Sequence, residues 1–262
     1  MRFGCCLGFA GTEEDHARVE SLARMGFQYL ELPAETLRPE GDPGDYYALR
    51  REVRRAALTP EVVNCLIPTG LKLVGNDVDW RRVEKLVALI LDRAEEIGAR
   101  TVVFGCAEAR RIPPDYPRDE ALDQLRYFLG MTADYAGELM VAVHPLAAEY
   151  TNSLNSIEET ADLVRKLGRA QLGLAVDSYH MDLSQEPWEA LEQARGLVAH
   201  VHCADRGRTA LGQGGADLTG FFAALAALEY DGRVTLEAEL DDSAEVAQAS
   251  LEVLRQLTGA RS

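Results

Sequence analysis

Leu172-Gly173-Leu174-Ala175-Val176-Asp177-Ser178-Tyr179-His180 is the stretch on which the fold is decided. Five apolar or small residues run without alternation into a carboxylate, a hydroxyl and an imidazole. An unbroken run of this kind suits a parallel strand buried on both faces. The same cadence recurs, so that residues 2–7, 27–32, 61–67, 101–105, 139–144, 172–177, 197–203 and 233–240 make eight such runs.

The segments between them read as helices. In residues 79–98, Val83, Leu86, Val87, Ile90, Leu91 and Ala94 form one stripe, and Arg81, Arg82, Glu84 and Lys85 lie mostly off it. Residues 158–166 and 242–257 are similarly amphipathic. Gly98 stands where a helix should stop, and Gly26, Gly168 and Gly232 are expected to close others. Eight alternations predict parallel strands with right-handed crossovers. The expected fold is α/β, a closed (β/α)8 TIM barrel occupying residues 1–262 as a single domain, and a chain of 262 residues is about the right length for one. An open doubly wound sheet is the alternative, but Leu7-Gly8-Phe9-Ala10-Gly11-Thr12 lacks the GxGxxG spacing that such a sheet usually shows after its first strand.

Hydrophobic residues make up 47% and charged residues 27%, the balance of a soluble globular protein. The formal charge of −16 repels phosphate backbones and anionic membranes, which argues against nucleic acid as a partner. The five cysteines are odd in number and form no CxxC pair, as expected of buried thiols in a reducing compartment. No stretch of about 18 uninterrupted apolar residues is present to span a membrane, and Met1-Arg2-Phe3-Gly4-Cys5 enters a strand directly. A cytoplasmic protein is expected.

In such a barrel, chemistry gathers at the C-terminal ends of the strands. Four of the five histidines fall there, namely His144, His180, His200 and His202; only His16 lies elsewhere. Imidazole and carboxylate at one rim is the composition of a divalent-metal site. Burying Asp177 after so apolar a run costs several kcal/mol unless a cation or hydrogen-bond donors compensate. It is either a ligand or the cap of the next loop. His200 and His202 point to the same side of one strand, and the residue nearer the rim is expected to be the ligand. Glu237 and Glu239 pose the same ambiguity. His180 is expected to meet a substrate hydroxyl, and Arg208 to hold substrate oxygens. Glu31, Asn64 and Glu108, at other strand ends, and Lys72 in Leu71-Lys72-Leu73 complete the candidate substrate-binding set; Lys72 would be costly to bury but ordinary if exposed.

These residues resemble the xylose isomerase-like barrel superfamily of sugar isomerases and epimerases, over nearly the whole chain. The resemblance rests on Val176-Asp177-Ser178-Tyr179-His180-Met181, on His200-Val201-His202 with Arg208, and on Asn152-Ser153-Leu154-Asn155-Ser156. Ketose 3-epimerases of this superfamily hold one metal ion through Glu, Asp, His and Glu on strands five to eight. The resemblance therefore implies Asp177, His202 and Glu237 as ligands, His180 and Arg208 as sugar contacts, and Glu237 and His180 as catalytic groups. It implies proton abstraction next to a carbonyl, an enediolate, and a small carbohydrate substrate. Relatives are often dimers or tetramers, so a homodimer or homotetramer is expected.

One departure alters the expected chemistry. The family's fifth strand usually ends Glu-Pro-Leu-Asn, with a second Glu just before Thr-Asn. Here His144-Pro145-Leu146-Ala147 precedes Ala148-Glu149-Tyr150-Thr151-Asn152. His144 replaces the first ligand and Tyr150 the second carboxylate. A His/Asp/His/Glu set carries one charge less and is softer, which favours Mn²⁺, Co²⁺, Fe²⁺ or Zn²⁺ over Mg²⁺. Isomerase or epimerase chemistry is the leading expectation. A lyase of the inosose dehydratase or 3-keto-glycoside β-elimination kind, which needs a single strong base, and a non-catalytic sugar-binding barrel are the alternatives.

Overall fold

The computed structural model describes residues 1–239 and 244–259. Strands β1 (Arg2–Cys6), β2 (Tyr29–Pro33), β3 (Pro60–Asn64), β4 (Thr101–Phe104), β5 (Met140–Val143), β6 (Leu172–Asp177), β7 (Val198–Cys203) and β8 (Arg233–Leu236) are all parallel and close on themselves in chain order. Helices α1 (Glu13–Met25), α2 (Pro43–Arg55), α3 (Trp80–Ile97), α4 (Arg118–Tyr135), α5 (Ile157–Leu167), α6 (Ser178–Leu183), α7 (Leu218–Ala227) and α8 (Ala244–Thr258) form the outer ring. α6 has only six residues, and a 3₁₀ turn at Trp188–Ala194 follows it before the next strand. The closed (β/α)8 barrel expected from the alternation is the observed fold.

The stripe of α3 is buried as its spacing predicts, and Gly98 ends the helix at φ 101°, a left-handed conformation that side chains other than glycine rarely adopt. Gly232 plays no such part. α7 stops at Ala227, and Glu229 takes the left-handed turn at φ 57° instead. Several strands are also shorter than their apolar runs. Leu66 and Ile67 lie past the end of β3 and are buried, and the Leu66 amide still donates to the Val103 carbonyl of β4 at 3.2 Å. Leu240, the end of the eighth run, and Asp242, the start of the last amphipathic stretch, lie outside the described residues.

Two separate apolar regions result. One lies between barrel and helices; the other fills the barrel interior with Tyr29, Val62, Val103, Ala142 and Ala175. At the N-terminal mouth, Glu61 accepts hydrogen bonds from Arg2 (2.6 Å) and from Arg233 (2.7 Å). Above this floor the interior turns polar. Tyr29 Oη meets Thr235 Oγ1 at 3.0 Å, and Thr235 Oγ1 meets His200 Nε2 at 3.1 Å. The column leads to the C-terminal rim.

Candidate metal and substrate site

Register sets the site. Asp177 on β6 pairs with His202 on β7, and Cys6 on β1 pairs with Glu31 on β2. Glu237 follows Leu236, which pairs with both Cys203 and Cys5, so its carboxylate joins the same ring. Donor atoms of Asp177, His202 and Glu237 lie within 4.8 Å of one another, as do those of His144, Asp177 and His180. The imidazoles of His180 and His202 each pack edge-on against His144 with ring centroids 5.1 Å apart.

Asp177 and His202 are each held by one atom and leave another unused. Asp177 Oδ1 accepts the Tyr179 amide at 2.8 Å and caps α6. Its Oδ2 is buried without a partner. The capping role weighed from sequence is filled by Oδ1, and Oδ2 is left over. His202 Nε2 donates to Glu31 Oε1 at 2.7 Å, leaving buried Nδ1 unpartnered and 3.5 Å from Glu237 Oε2. His144 Nε2 is buried, unpartnered, and 3.3 Å from Asp177 Oδ2. Such orphaned polar atoms cost about 1–3 kcal/mol each. Their chemistry fits a divalent cation. Gly105, at the end of β4, keeps this packing possible, since a Cβ there would sit 3.0 Å from His144 Nδ1.

Electrostatics support the division of labour. Burial pushes the His144 imidazole well below its ordinary range, and nearby His202 adds to the effect. Burial also takes His180 down to about 3, against the pull of Asp177. Both are thus neutral. For His202, burial opposes protonation, but Glu31 and then Glu237 outweigh it and raise its pKa to about 10. Burial likewise opposes the charge of Glu31, yet His202 and His200 hold its carboxyl well below the usual range. A histidine gripped through its second nitrogen by a carboxylate is the usual support for a metal-binding imidazole.

The site opens into a cavity of about 160 Å³ whose wall includes Asn64, His144, His180, His202, Arg208 and Glu237. Arg208 Nη1 donates to Glu237 Oε2 at 2.9 Å, its guanidinium lies 4.7 Å from the Tyr179 ring centroid, and Asn64 Nδ2 donates to Glu237 Oε1 at 3.4 Å. Burial works against the charge of Arg208, but the Glu237 and Asp177 carboxylates hold its pKa above the ordinary value. His180 Nδ1 accepts the Ala147 amide at 3.2 Å, and its Nε2 lies 3.2 Å from Arg208 Nη2 and 3.9 Å from Asp177 Oδ2.

Three residues expected to contact substrate are placed otherwise. Glu31 is fully buried, with both oxygens occupied by His200 and His202 at 2.9 and 2.7 Å, so it supports imidazoles instead of facing the cavity. Lys72 is exposed in the loop between β3 and α3, away from the cavity wall, because its neighbours Leu71 and Leu73 take the buried positions. Glu108 is solvent-exposed and paired with Arg111 at 2.8 Å; it borders a neighbouring cavity instead. Conversely, Cys6 was missed, and Tyr150 was read only as the replacement of a carboxylate. Cys6 joins Glu31 and Glu237 in a cluster within 4.8 Å, and Tyr150 lines the cavity with its hydroxyl 2.9 Å from that of Tyr179. The place of Cys6, at the end of the first apolar run, was the available signal.

The sequence profile described as Xylose isomerase-like TIM barrel matches residues 19–257. The chain is 28% identical over 250 residues to the ketose 3-epimerase of Arthrobacter globiformis, covering 90% of this chain and 83% of that protein. It is 28% identical over 197 residues to the 3-dehydro-D-guloside 4-epimerase of Escherichia coli (strain K12), covering 70% of this chain and 74% of that protein. The solved structure of a D-psicose 3-epimerase in the presence of D-fructose superposes with a TM-score of 0.82 at 16% identity, over 99% of this chain and 100% of that one, a likeness of fold.

Proposed function

The chain belongs to the xylose isomerase-like TIM barrel family, and from that premise we propose that it is a divalent-metal-dependent epimerase or isomerase of a small sugar or keto-sugar. The observation that carries this reading is the convergence of Asp177, His202 and Glu237 donor atoms within 4.8 Å. The unpartnered His144 Nε2, Asp177 Oδ2 and His202 Nδ1 support it. His144, Asp177, His202 and Glu237 would hold the ion. Two imidazoles among four ligands favour Mn²⁺, Co²⁺ or Zn²⁺ over Mg²⁺. When bound, such a cation supplies Lewis-acid polarisation of a sugar carbonyl and its neighbouring hydroxyl.

The side chains supply the rest. Glu237, oriented by Arg208 and Asn64, takes the proton from the carbon beside the carbonyl. The electron pair left behind shifts toward the carbonyl oxygen, giving an enediolate. His180, on the cavity wall, contacts a substrate oxygen, and Arg208 fixes the hydroxyls. Return of the proton from Glu237 to the adjacent carbon gives the isomer; a proton taken from solvent on the opposite face, with Glu237 releasing its own to solvent, gives the epimer. No further reagent is consumed. Among the described residues lining the cavity, Glu237 is the one carboxylate, which also suits a lyase in which the same carbanion expels a leaving group.

Elemental analysis of protein purified without chelator, followed by a panel of ketoses and 3-keto-sugars in heavy water, tests the reading. One divalent ion per chain and deuterium in a stereoisomeric product are expected. Deuterium in an unsaturated product would assign the lyase. Absence of exchange with metal restored would leave a sugar-binding barrel. The proposal includes a cytoplasmic setting, in keeping with five unpaired cysteines, and a homodimer or homotetramer, which light scattering measures.

A further inference from the structure

Epimerisation needs two proton-handling groups, one to take the proton from one face of the carbon and one to supply a proton to the other. Glu237 is the one carboxylate among the described residues that line the cavity. The cavity is small, about 160 Å³ against the ~300–1,000 Å³ of ordinary small-molecule sites, so a bound ring reaches the side chains on all its walls.

Most other groups on that wall are poor donors. His144 and His202 belong to the ion. Burial takes His180 down to about 3, and a neutral imidazole does not yield its remaining proton near neutral pH. Burial first, then Cys106 and the carboxylates of Glu237, Glu31 and Glu35, push the Cys65 thiol up, so a thiolate there is disfavoured.

Tyr150 is placed differently. Its amide donates to the Ala147 carbonyl at 2.9 Å and its own carbonyl accepts from Arg111 Nη2, which pins the loop on both sides. Its ring packs edge-on against His180 with centroids 4.9 Å apart, and its hydroxyl stands 2.9 Å from that of Tyr179. Arg208 is the link to the base. It donates to Glu237 Oε2 at 2.9 Å, its Nη2 lies 3.2 Å from His180 Nε2, and a hydrogen bond with the Tyr150 hydroxyl helps to hold it charged. One guanidinium therefore serves both the carboxylate and the phenol. If Glu237 gains a proton while Tyr150 loses one, the total charge of the three side chains is unchanged, and Arg208 trades a carboxylate partner for a phenolate without leaving a buried charge unpaired.

We propose that Tyr150 is a catalytic residue, the phenol that supplies the proton to the face opposite Glu237, so that the enzyme epimerises between a carboxylate and a phenol. Glu237 takes the proton as the C–H bond breaks and the electron pair enters the enediolate. The Tyr150 O–H bond then breaks and its proton forms the new C–H bond. The phenolate regains a proton from solvent and Glu237 releases its own, so nothing is consumed. This rests on the sugar epimerase or isomerase reading and selects the epimerase.

Tyr150→Phe keeps the ring and removes the hydroxyl. The Mn²⁺-loaded parent and variant are incubated in heavy water with the same panel of sugars, D-fructose and 3-keto-glucose included. In the variant, epimer formation should fall by roughly 100-fold or more, while Glu237 continues to exchange deuterium into the recovered starting sugar. Mn²⁺ affinity and melting temperature should stay near those of the parent. Unchanged epimer formation, or equal loss of exchange and epimer, would overturn the role. A single turnover of the parent in heavy water tests it without a variant: the inverted carbon should carry deuterium, and retained protium or an isomeric product would overturn the proposal. Exchange in the parent with either of these outcomes rejects the role of Tyr150 alone, whereas absence of exchange with every sugar rejects the epimerase reading and the proposal with it.

Discussion

His144 Nε2 stands 3.3 Å from Asp177 Oδ2, on the neighbouring strand β6, and neither buried atom has a hydrogen-bond partner among the described residues. An imidazole thus stands beside a carboxylate at the ends of neighbouring strands. His144→Ala should weaken divalent-metal binding by more than the roughly 10–100-fold typical of outer-shell changes, read by metal titration. His144→Glu should restore binding and raise the affinity for Mg²⁺ relative to Zn²⁺. Unchanged affinity in the alanine variant would remove His144 from the ligand set.

Glu31 is a positioning residue. It is fully buried, and it grips both imidazoles of β7. Glu31→Gln should lower metal affinity by about 10–100-fold. Stability in urea should fall by about 3–5 kcal/mol, the cost of breaking a buried charged pair. Loss of stability with metal affinity preserved would make its role purely structural.

Glu237→Gln keeps the shape of the carboxylate and removes its basicity. Exchange of the substrate's carbon-bound proton with solvent should cease, while the melting temperature moves by only a few degrees. Retained exchange would identify another group as the base. The companion His202→Ala should abolish tight metal binding, and unchanged stoichiometry would reject its assignment.

The floor of the barrel predicts acid sensitivity. Burial works against the charge of Glu61, but Arg2 and Arg233 outweigh it and hold its carboxyl below the ordinary value. The folded state therefore binds this proton less readily than the unfolded chain. Its stabilisation is present above the unfolded carboxylate value of ~4.3 and is lost as pH falls through the lower folded value. Glu61→Gln should cost about 1–2 kcal/mol at pH 7, below the value of a fully buried charged hydrogen bond because Arg2 is partly exposed. The difference from the parent should shrink below pH 4, as followed by urea denaturation across pH. A pH-independent difference would show that the charge is not what Glu61 contributes.

The succession of strands and helices was legible from the chain alone, because a strand buried on both faces and a helix with one buried face impose different local periods. The same local logic brought Asp177, His202 and Glu237 to the rim, since each lies in the closing part of an apolar run. What the sequence could not decide was who meets whom across the barrel. Glu31 lies 171 positions from His202, and only closure and the register of eight strands make them partners rather than leaving Glu31 to the substrate. Lys72 and Glu108 had the right chemistry at the right height, but loop packing turned them outward or into the adjoining cavity. Local period fixes where a side chain stands along its strand; the environment it enters is set by residues far away in the chain.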